Sequence, residues 1–261
     1  MSMTVAEIRE KLRQANEREF AALERSLAAD TRKGVRAAVE VARRRIDAER
    51  AERKRLDGLY DFERSFLKSG QSVIVGLDEV GRGAVAGPLA VGAVVLPESP
   101  RIAGLNDSKA LTPEQREEVA AHVKDLAVAW AVQYIEPAEI DCDGMTACLK
   151  RAFAGALAQI EQAGVHLDVV LVDGNALNID RRETNVVKGD AKCASIAAAS
   201  IVAKVTRDRL MRALAPQYPG YDFGENKGYG SPQHIEAIKS LGLTPLHRKS
   251  FCRSFMQESL F

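Results

Sequence analysis

The chain has 261 residues, of which 46% are hydrophobic and 28% charged, an ordinary globular composition with enough apolar side chains for a sizeable core. Its four cysteines form no C-x-x-C pair, which argues against a zinc site or a disulfide framework and favours a reducing setting. The sequence shows no signal peptide and no apolar run long enough to span a bilayer. We therefore expect a cytoplasmic protein that does not act at a membrane.

Charge is distributed unevenly along the chain. Residues 1–68 hold 17 of the 37 Lys and Arg and 13 of the 36 Asp and Glu, a balance of +4, so the remainder carries −3. A negative body argues against an enzyme that grips nucleic acid by bulk charge. It is compatible with one that binds metal ions through clustered carboxylates and contacts phosphates at a few points.

Residues 4 to about 66 have a helical pattern. A capping box at Thr4 and Glu7 and a cap at Asp30 indicate two helices, whose apolar stripes are Ile8, Leu12, Leu23 and Leu27, then Val35, Val39, Ala42 and Ile46. We predict an antiparallel helical hairpin as an N-terminal extension, residues 1–68. Three roles stay open for it: strengthening the grip on substrate, docking a partner or stabilising the body.

From residue 69 to 261, strand and helix patterns alternate. Buried-strand patterns occupy 72–77, 87–97, 128–134, 168–172 and 185–187, and helical patterns occupy roughly 113–125, 146–163, 192–214 and 231–240. This order predicts an α/β catalytic domain in which a mixed central sheet is flanked by helices.

Four acids stand at the ends of apolar strands or in loops. Asp78 and Glu79 follow the first strand, Asp173 ends the fourth, and Asp190 precedes a helix. Charged groups resist burial unless something neutralises them. Carboxylates without an accompanying histidine suit Mg²⁺ or Mn²⁺ rather than zinc, and such a site can hold two metal ions. A helix cap or turn is the alternative for any single acid, above all for Asp190.

Other polar residues are candidates for substrate contacts. Gly81, Arg82 and Gly83 would let main-chain groups approach a ligand closely, although a tight turn explains this pattern equally well. Ser108 and Lys109 are further candidates, in a loop before the helix that starts at Pro113. Ser200 and Lys204 are also candidates, because they are four residues apart on one helix face. Each pair has a purely structural role as its alternative. Asp208 is expected to form an ion pair on that helix and is the second choice for the fourth carboxylate.

These residues resemble the signature of the ribonuclease HII family. The resemblance covers about residues 72–255 and rests on ordered motifs: Asp78-Glu79-Val80-Gly81-Arg82-Gly83, Asn106-Asp107-Ser108-Lys109, Val172-Asp173-Gly174, Lys188-Gly189-Asp190, the segment 198–208, Gly228-Tyr229-Gly230-Ser231 and His247-Arg248-Lys249-Ser250-Phe251. It implies a ribonuclease H-like fold. It also implies cleavage of RNA in RNA/DNA hybrids and of single ribonucleotides embedded in DNA, on their 5′ side, leaving 3′-hydroxyl and 5′-phosphate ends.

The resemblance also implies roles for individual residues. Asp78, Glu79, Asp173 and Asp190 would be the catalytic, metal-binding carboxylates. The main chain of Gly81, Arg82 and Gly83 would recognise the 2′-hydroxyl, and Tyr229 would stack on the sugar after the ribonucleotide. The implied partners are RNA/DNA hybrids and ribonucleotide-containing DNA, and a monomer is the default expectation.

Two alternatives stay open at this point. A ribonuclease HIII-type enzyme also carries an N-terminal extension but needs several consecutive ribonucleotides. A non-catalytic nucleic-acid-binding module on the same fold would lack cleavage, and the four intact carboxylates count against it.

Overall fold

The structure, a computed structural model, describes residues 3–256. These residues form two compact units, which divide between Gly58 and Leu59. The first unit contains α1 (Val5–Gln14), α2 (Glu17–Leu27) and the first part of α3 (Lys33–Arg64). Its core is apolar and comprises Ile8, Leu12, Ala15, Phe20, Val35, Ala42 and Ile46.

The predicted hairpin of two helices in this unit is wrong, because the first predicted helix is interrupted after Gln14. Thr4 and Glu7 form the expected capping box, but Asn16 and Glu19 form a second one. The Asn16 side chain accepts hydrogen bonds from the N–H groups of Arg18 and Glu19. These bonds cap the start of α2, so α1 ends before Asn16.

A five-stranded mixed sheet organises the second unit. Its strands are β1 (Ile74–Val80), β2 (Leu89–Val95), β3 (Ala129–Ile135), β4 (Val169–Asp173) and β5 (Glu183–Val186). They lie in the order β3-β2-β1-β4-β5, with β1–β2 and β2–β3 antiparallel and β1–β4 and β4–β5 parallel. The predicted mixed sheet is confirmed.

The helices of this unit are α4 (Pro113–Leu126), α5 (Pro137–Asp143), α6 (Met145–Gln162), α7 (Ala194–Leu214), α8 (Phe223–Asn226), α9 (Pro232–Leu241) and α10 (Lys249–Met256). Helix α6 packs on β2 and β3, whereas α7 packs on β1 and β2. The sequence patterns missed α5, α8 and α10, which are too short to repeat an apolar stripe.

Helix α7 approaches the sheet unusually closely at two glycines. A Cβ atom on Gly76 would lie 2.2 Å from the Ser195 carbonyl carbon, and one on Gly92 would lie 2.4 Å from the Ala199 oxygen. Since Gly92 pairs with Asp78 across the β1–β2 ladder, this approach brings the middle of α7 beside Asp78.

Strand β1 is longer than its sequence pattern indicates. The ladder with β2 continues through Asp78, Glu79 and Val80, so the acid pair lies within the strand and not after it. The apolar pattern stops at Leu77 because it records side chains, whereas the ladder is formed by main-chain groups.

Among the helices of residues 3–256, none is both long and apolar enough to cross a bilayer.

Candidate active site

A cleft of about 520 Å³ lies at the end of β1 and against α7. It brings together eleven of the twelve predicted site residues, namely Asp78, Glu79, Gly81, Arg82, Gly83, Ser108, Lys109, Asp173, Ser200, Lys204 and Tyr229. Val80 and Arg116 complete the lining. Asp190, the twelfth, lies next to the cleft behind Lys109, as described below.

Asp78 lies on the side of β1 that faces α7, and its side chain is only 7% exposed. The Ser200 hydroxyl and the Glu79 main-chain N–H, the latter at 2.7 Å, donate hydrogen bonds to its carboxyl group. Burial raises the pKa of Asp78 to about 8, and the neighbouring charges of Glu79 and Asp173 act in the same direction. This group therefore favours a nearby positive charge.

Asp173 reaches the same place because β1 and β4 are parallel. Leu77 pairs with Val172, so Asp78 and Asp173 are the next residues along two adjacent strands. The main-chain N–H of Gly189 donates a 2.6 Å hydrogen bond to Asp173 Oδ1. Burial nevertheless raises the pKa of Asp173, and the charge of Asp190 raises it further.

The side chain of Glu79 is 18% exposed and lies beside exposed Arg82. Arg82 Nη1 lies 3.2 Å from Glu79 Oε1. Burial raises the pKa of Glu79 as well, while the hydrogen bond from Arg82 opposes that rise. Three neighbouring acids thus all have carboxyl groups whose ionised forms are disfavoured by burial.

Asp190 lies on a 3₁₀ turn, Gly189–Ala191, that precedes α7. It is 7% exposed, and Lys109 Nζ lies 3.4 Å from its Oδ2 atom. Asp208, the second choice for this role, is held by Lys204 at 2.9 Å, so its predicted ion pair is confirmed.

The donor set fits a hard divalent cation in its chemistry. All four side chains offer only carboxylate oxygens, which Mg²⁺ and Mn²⁺ prefer. Within residues 3–256, however, no three acid, His or Cys side chains stand close enough to hold a metal ion as they are arranged. Arg82 and Lys109 serve instead as countercharges for Glu79 and Asp190.

The loop at Gly81 to Gly83 has two distinct kinds of glycine. Gly81 has a φ of +86°, and a Cβ on it would lie 2.3 Å from Arg207 Nε. Gly83 has open space where its Cβ would be. Packing therefore requires the first glycine, whereas only an external ligand would require the second.

Tyr229 lies at the other side of the cleft and is 38% exposed. Its ring has two cations beside it: Lys204 Nζ lies 5.8 Å and Arg207 Cζ lies 5.6 Å from the ring centroid. Cations at these distances are attracted by the aromatic face and restrict where the ring lies.

Ser108 and Lys109 come to the cleft from the loop before α4. The hydroxyl oxygens of Ser108 and Ser200 lie 3.1 Å apart, within hydrogen-bond distance of each other. Sequence reasoning missed Arg116, which donates to the carbonyl oxygens of Ser108 at 2.8 Å and Leu111 at 2.6 Å. An arginine in the first turn of a helix carries no sequence signal of such a role.

Comparison with known families decides the relationship. The family model described as "Ribonuclease HII" matches residues 75–254 of this chain. The chain belongs to the ribonuclease HII family. The model of the ribonuclease HII N-terminal domain also matches, over residues 4–67. The chain is accordingly a ribonuclease H, an endonuclease that acts on RNA strands, and the predicted ribonuclease H-like fold is confirmed.

Solved structures of ribonucleases H resemble the chain. Ribonuclease H2 from Pyrococcus horikoshii OT3 is 30% identical, with a TM-score of 0.60 over 72% of this chain and 98% of that one. The ribonuclease HII in a complex with PCNA from Archaeoglobus fulgidus is 27% identical, with a TM-score of 0.58 over 68% and 94%. Bst-RNase HIII in complex with Mn²⁺ is 19% identical over 73% and 71%, with a TM-score of 0.55, and shows a shared fold alone.

Proposed function

We propose that this ribonuclease HII hydrolyses the RNA strand of RNA/DNA hybrids and also cuts on the 5′ side of single ribonucleotides embedded in duplex DNA, leaving 3′-hydroxyl and 5′-phosphate ends. The observation that carries the proposal is the buried carboxyl group of Asp78, grouped with Glu79 and Asp173 in one open cleft. Such a cut would begin ribonucleotide excision repair.

Divalent cations, Mg²⁺ or Mn²⁺, are the proposed cofactors. Asp78, Glu79, Asp173 and Asp190 would hold two of them. Bound there, the ions would activate a water and stabilise the departing 3′-oxygen of the phosphodiester. The raised pKa values of the three cleft acids support this assignment, because cations would relieve the cost of burying their charges.

Substrate recognition is assigned to the two sides of the cleft. The main-chain groups of Gly81, Arg82 and Gly83 would test for the 2′-hydroxyl, which is both a donor and an acceptor. The exposed face of Tyr229 would stack on the sugar after the ribonucleotide. Ser108, Lys109, Ser200 and Lys204 would face the substrate backbone, with the two lysines supplying positive charge.

Nicking of a DNA duplex that contains one ribonucleotide tests this function. The wild type should cut it with Mg²⁺ or Mn²⁺ but not with a chelator present. Asp78→Asn and Asp173→Asn should abolish cutting and leave duplex binding largely intact, whereas Asp125→Asn, which changes an exposed acid of α4, should keep wild-type turnover. Near-wild-type cutting by Asp78→Asn would refute the site.

Two further outcomes bear on the other predictions. A chain that cuts runs of ribonucleotides but not a single one would have the substrate range of a ribonuclease HIII-type enzyme. Binding without any cutting, under every metal tested, would leave only the non-catalytic module. Monomeric state and cytoplasmic location stay predictions, to be checked by light scattering and by fractionation of cells.

A further inference from the structure

Arg207 of α7 is fully buried, at 0% exposure. A buried guanidinium is costly unless its N–H groups find acceptors. Its Nε donates to the carbonyl of Pro88 at 2.8 Å, its Nη2 to that of Ala86 at 3.1 Å and its Nη1 to that of Lys227 at 2.9 Å. One side chain therefore bonds to main-chain oxygens in two distant parts of the sequence.

Both of these parts lead to proposed recognition groups. The first, Ala86 to Pro88, comes soon after the Gly81-Arg82-Gly83 loop in the sequence, and the missing Cβ of Gly81 leaves the space that Arg207 Nε fills. The second runs from Lys227 to Tyr229, whose ring also lies over the Arg207 guanidinium. Arg207 is thus in contact with the loop that would read the ribose and with the ring that would read the next sugar.

The two segments are also bonded to each other. The carbonyl of Gly228 accepts hydrogen bonds from the N–H groups of Val85, at 2.9 Å, and Ala86, at 3.0 Å. Gly228 has a φ of +82°, and a Cβ on it would lie 2.2 Å from the Ala86 oxygen. With so little space between them, a displacement of one segment requires a displacement of the other.

We propose that Arg207 is a positioning residue that couples the ribose-reading loop to Tyr229, so that recognition of the 2′-hydroxyl and stacking on the following sugar depend on each other. The proposal rests on the function proposed above. Because it is fully buried, Arg207 would act through these segments and not by direct contact with the substrate. Lysine is not an adequate replacement, because a single ammonium group does not reproduce the planar fork that reaches three carbonyls.

A double-mutant cycle on a duplex with one ribonucleotide tests the coupling through kcat/KM. Arg207→Lys should lower kcat/KM by about tenfold in the wild-type background but by about threefold or less in a Tyr229→Ala background, since coupled residues show non-additive effects of this size. Equal losses in both backgrounds would show that Arg207 only stabilises the fold. Arg209→Lys, at an exposed position of the same helix that pairs with Glu117, should leave kcat/KM unchanged.

A second measurement keeps the proposal testable if Arg207→Lys does not fold. The dissociation constant, measured without divalent metal, is compared between a duplex with one ribonucleotide and its all-DNA counterpart. Coupling predicts that Tyr229→Ala lowers the preference for the ribonucleotide by about threefold or more, and an unchanged preference would overturn it. A wild type that does not cut the single-ribonucleotide duplex would refute the proposed function instead.

Discussion

Nε2 of His234 lies 3.1 Å from Nε2 of His247, and both rings are buried. The main-chain N–H of Thr244 donates to His247 Nδ1 at 2.9 Å, so the proton of this neutral ring is on Nε2. His247 then donates to His234, whose Nδ1 donates to the Tyr229 carbonyl at 2.8 Å. The bond from Thr244 requires a neutral His247 ring, and the bond between the two rings requires a neutral His234 ring.

We therefore expect the protein to lose stability in mild acid. Burial lowers the pKa of His247 from 6.5 to about 4, with the charge of His234 acting in the same direction. Between pH 6.5 and pH 4, the His247 ring is protonated in the unfolded chain and neutral in the folded one. The unfolding free energy that this ring contributes is therefore fully present above pH 6.5 and falls as the pH is lowered toward 4. Linkage puts the loss at about 2 kcal/mol by pH 5.

Urea denaturation between pH 7 and pH 5 measures this loss. His247→Gln should flatten the dependence of unfolding free energy on pH, whatever its effect at pH 7. His166→Gln should keep it, because the side chain of His166 is 90% exposed. An equal pH slope in wild type and His247→Gln would contradict the prediction.

The two glycines of the Gly81-Arg82-Gly83 loop should respond differently to alanine. Gly81→Ala places a Cβ against buried Arg207 at a positive φ, so we expect a loss of about 1–3 kcal/mol in unfolding free energy. Gly83→Ala meets open space and should change stability by less than about 0.5 kcal/mol. Thermal and urea unfolding check both values.

Activity of Gly83→Ala then separates recognition from folding. If the main chain at Gly83 contacts the ribose, kcat/KM for the single-ribonucleotide duplex should fall at least about tenfold while stability is kept. Wild-type kcat/KM in this variant would remove Gly83 from the recognition site.

We propose Asp190 as the fourth carboxylate, with Asp208 as the second choice. Asp190 follows Gly189, which is bonded to Asp173, whereas the Asp208 carboxylate is occupied by Lys204. We expect Asp190→Asn to lower kcat by a factor of about 100 or more, a typical cost of losing an electrostatic group at the reacting centre. Asp208→Asn should cost about tenfold or less, and the reverse order in single-turnover rates would exchange the two assignments.

The N-terminal boundary is tested by two deletions. Glu63, in the second unit, accepts hydrogen bonds at 2.7 Å from both the main-chain N–H and the hydroxyl of buried Ser195. Removing residues 1–58 keeps these bonds. Removing residues 1–68, the extension as we predicted it, leaves Ser195 without them, at a cost of about 1–3 kcal/mol in unfolding free energy for each unsatisfied group.

Comparing the unfolding free energies of the two deleted chains measures that difference directly. Equal stabilities would show that Glu63 is dispensable and would support a boundary near residue 68. Duplex affinity of the shorter deletion at low and high salt would then show whether the first unit contributes to substrate grip.

The amino-acid sequence alone was enough to indicate the family of this protein and its candidate metal ligands. Carboxylates that interrupt apolar strands are unusual enough to identify the metal-binding candidates, and ordered motifs around them indicate the family. Periodicity also located the long strands and helices, since a buried face imposes a repeat that a reader of the sequence can recognise. Those signals are local in the sequence, so they can be recognised without knowing which segments contact each other in the fold.

The way in which the proposed recognition loops are held became evident only in the folded protein. No structural role could be assigned from the sequence to Arg116, Arg207 or His247, because each bonds to main-chain groups whose identity a sequence does not specify. The continuation of β1 through Asp78 depended likewise on main-chain pairing with β2. Such partners are set by strand register and helix packing, which arise only when distant segments come together.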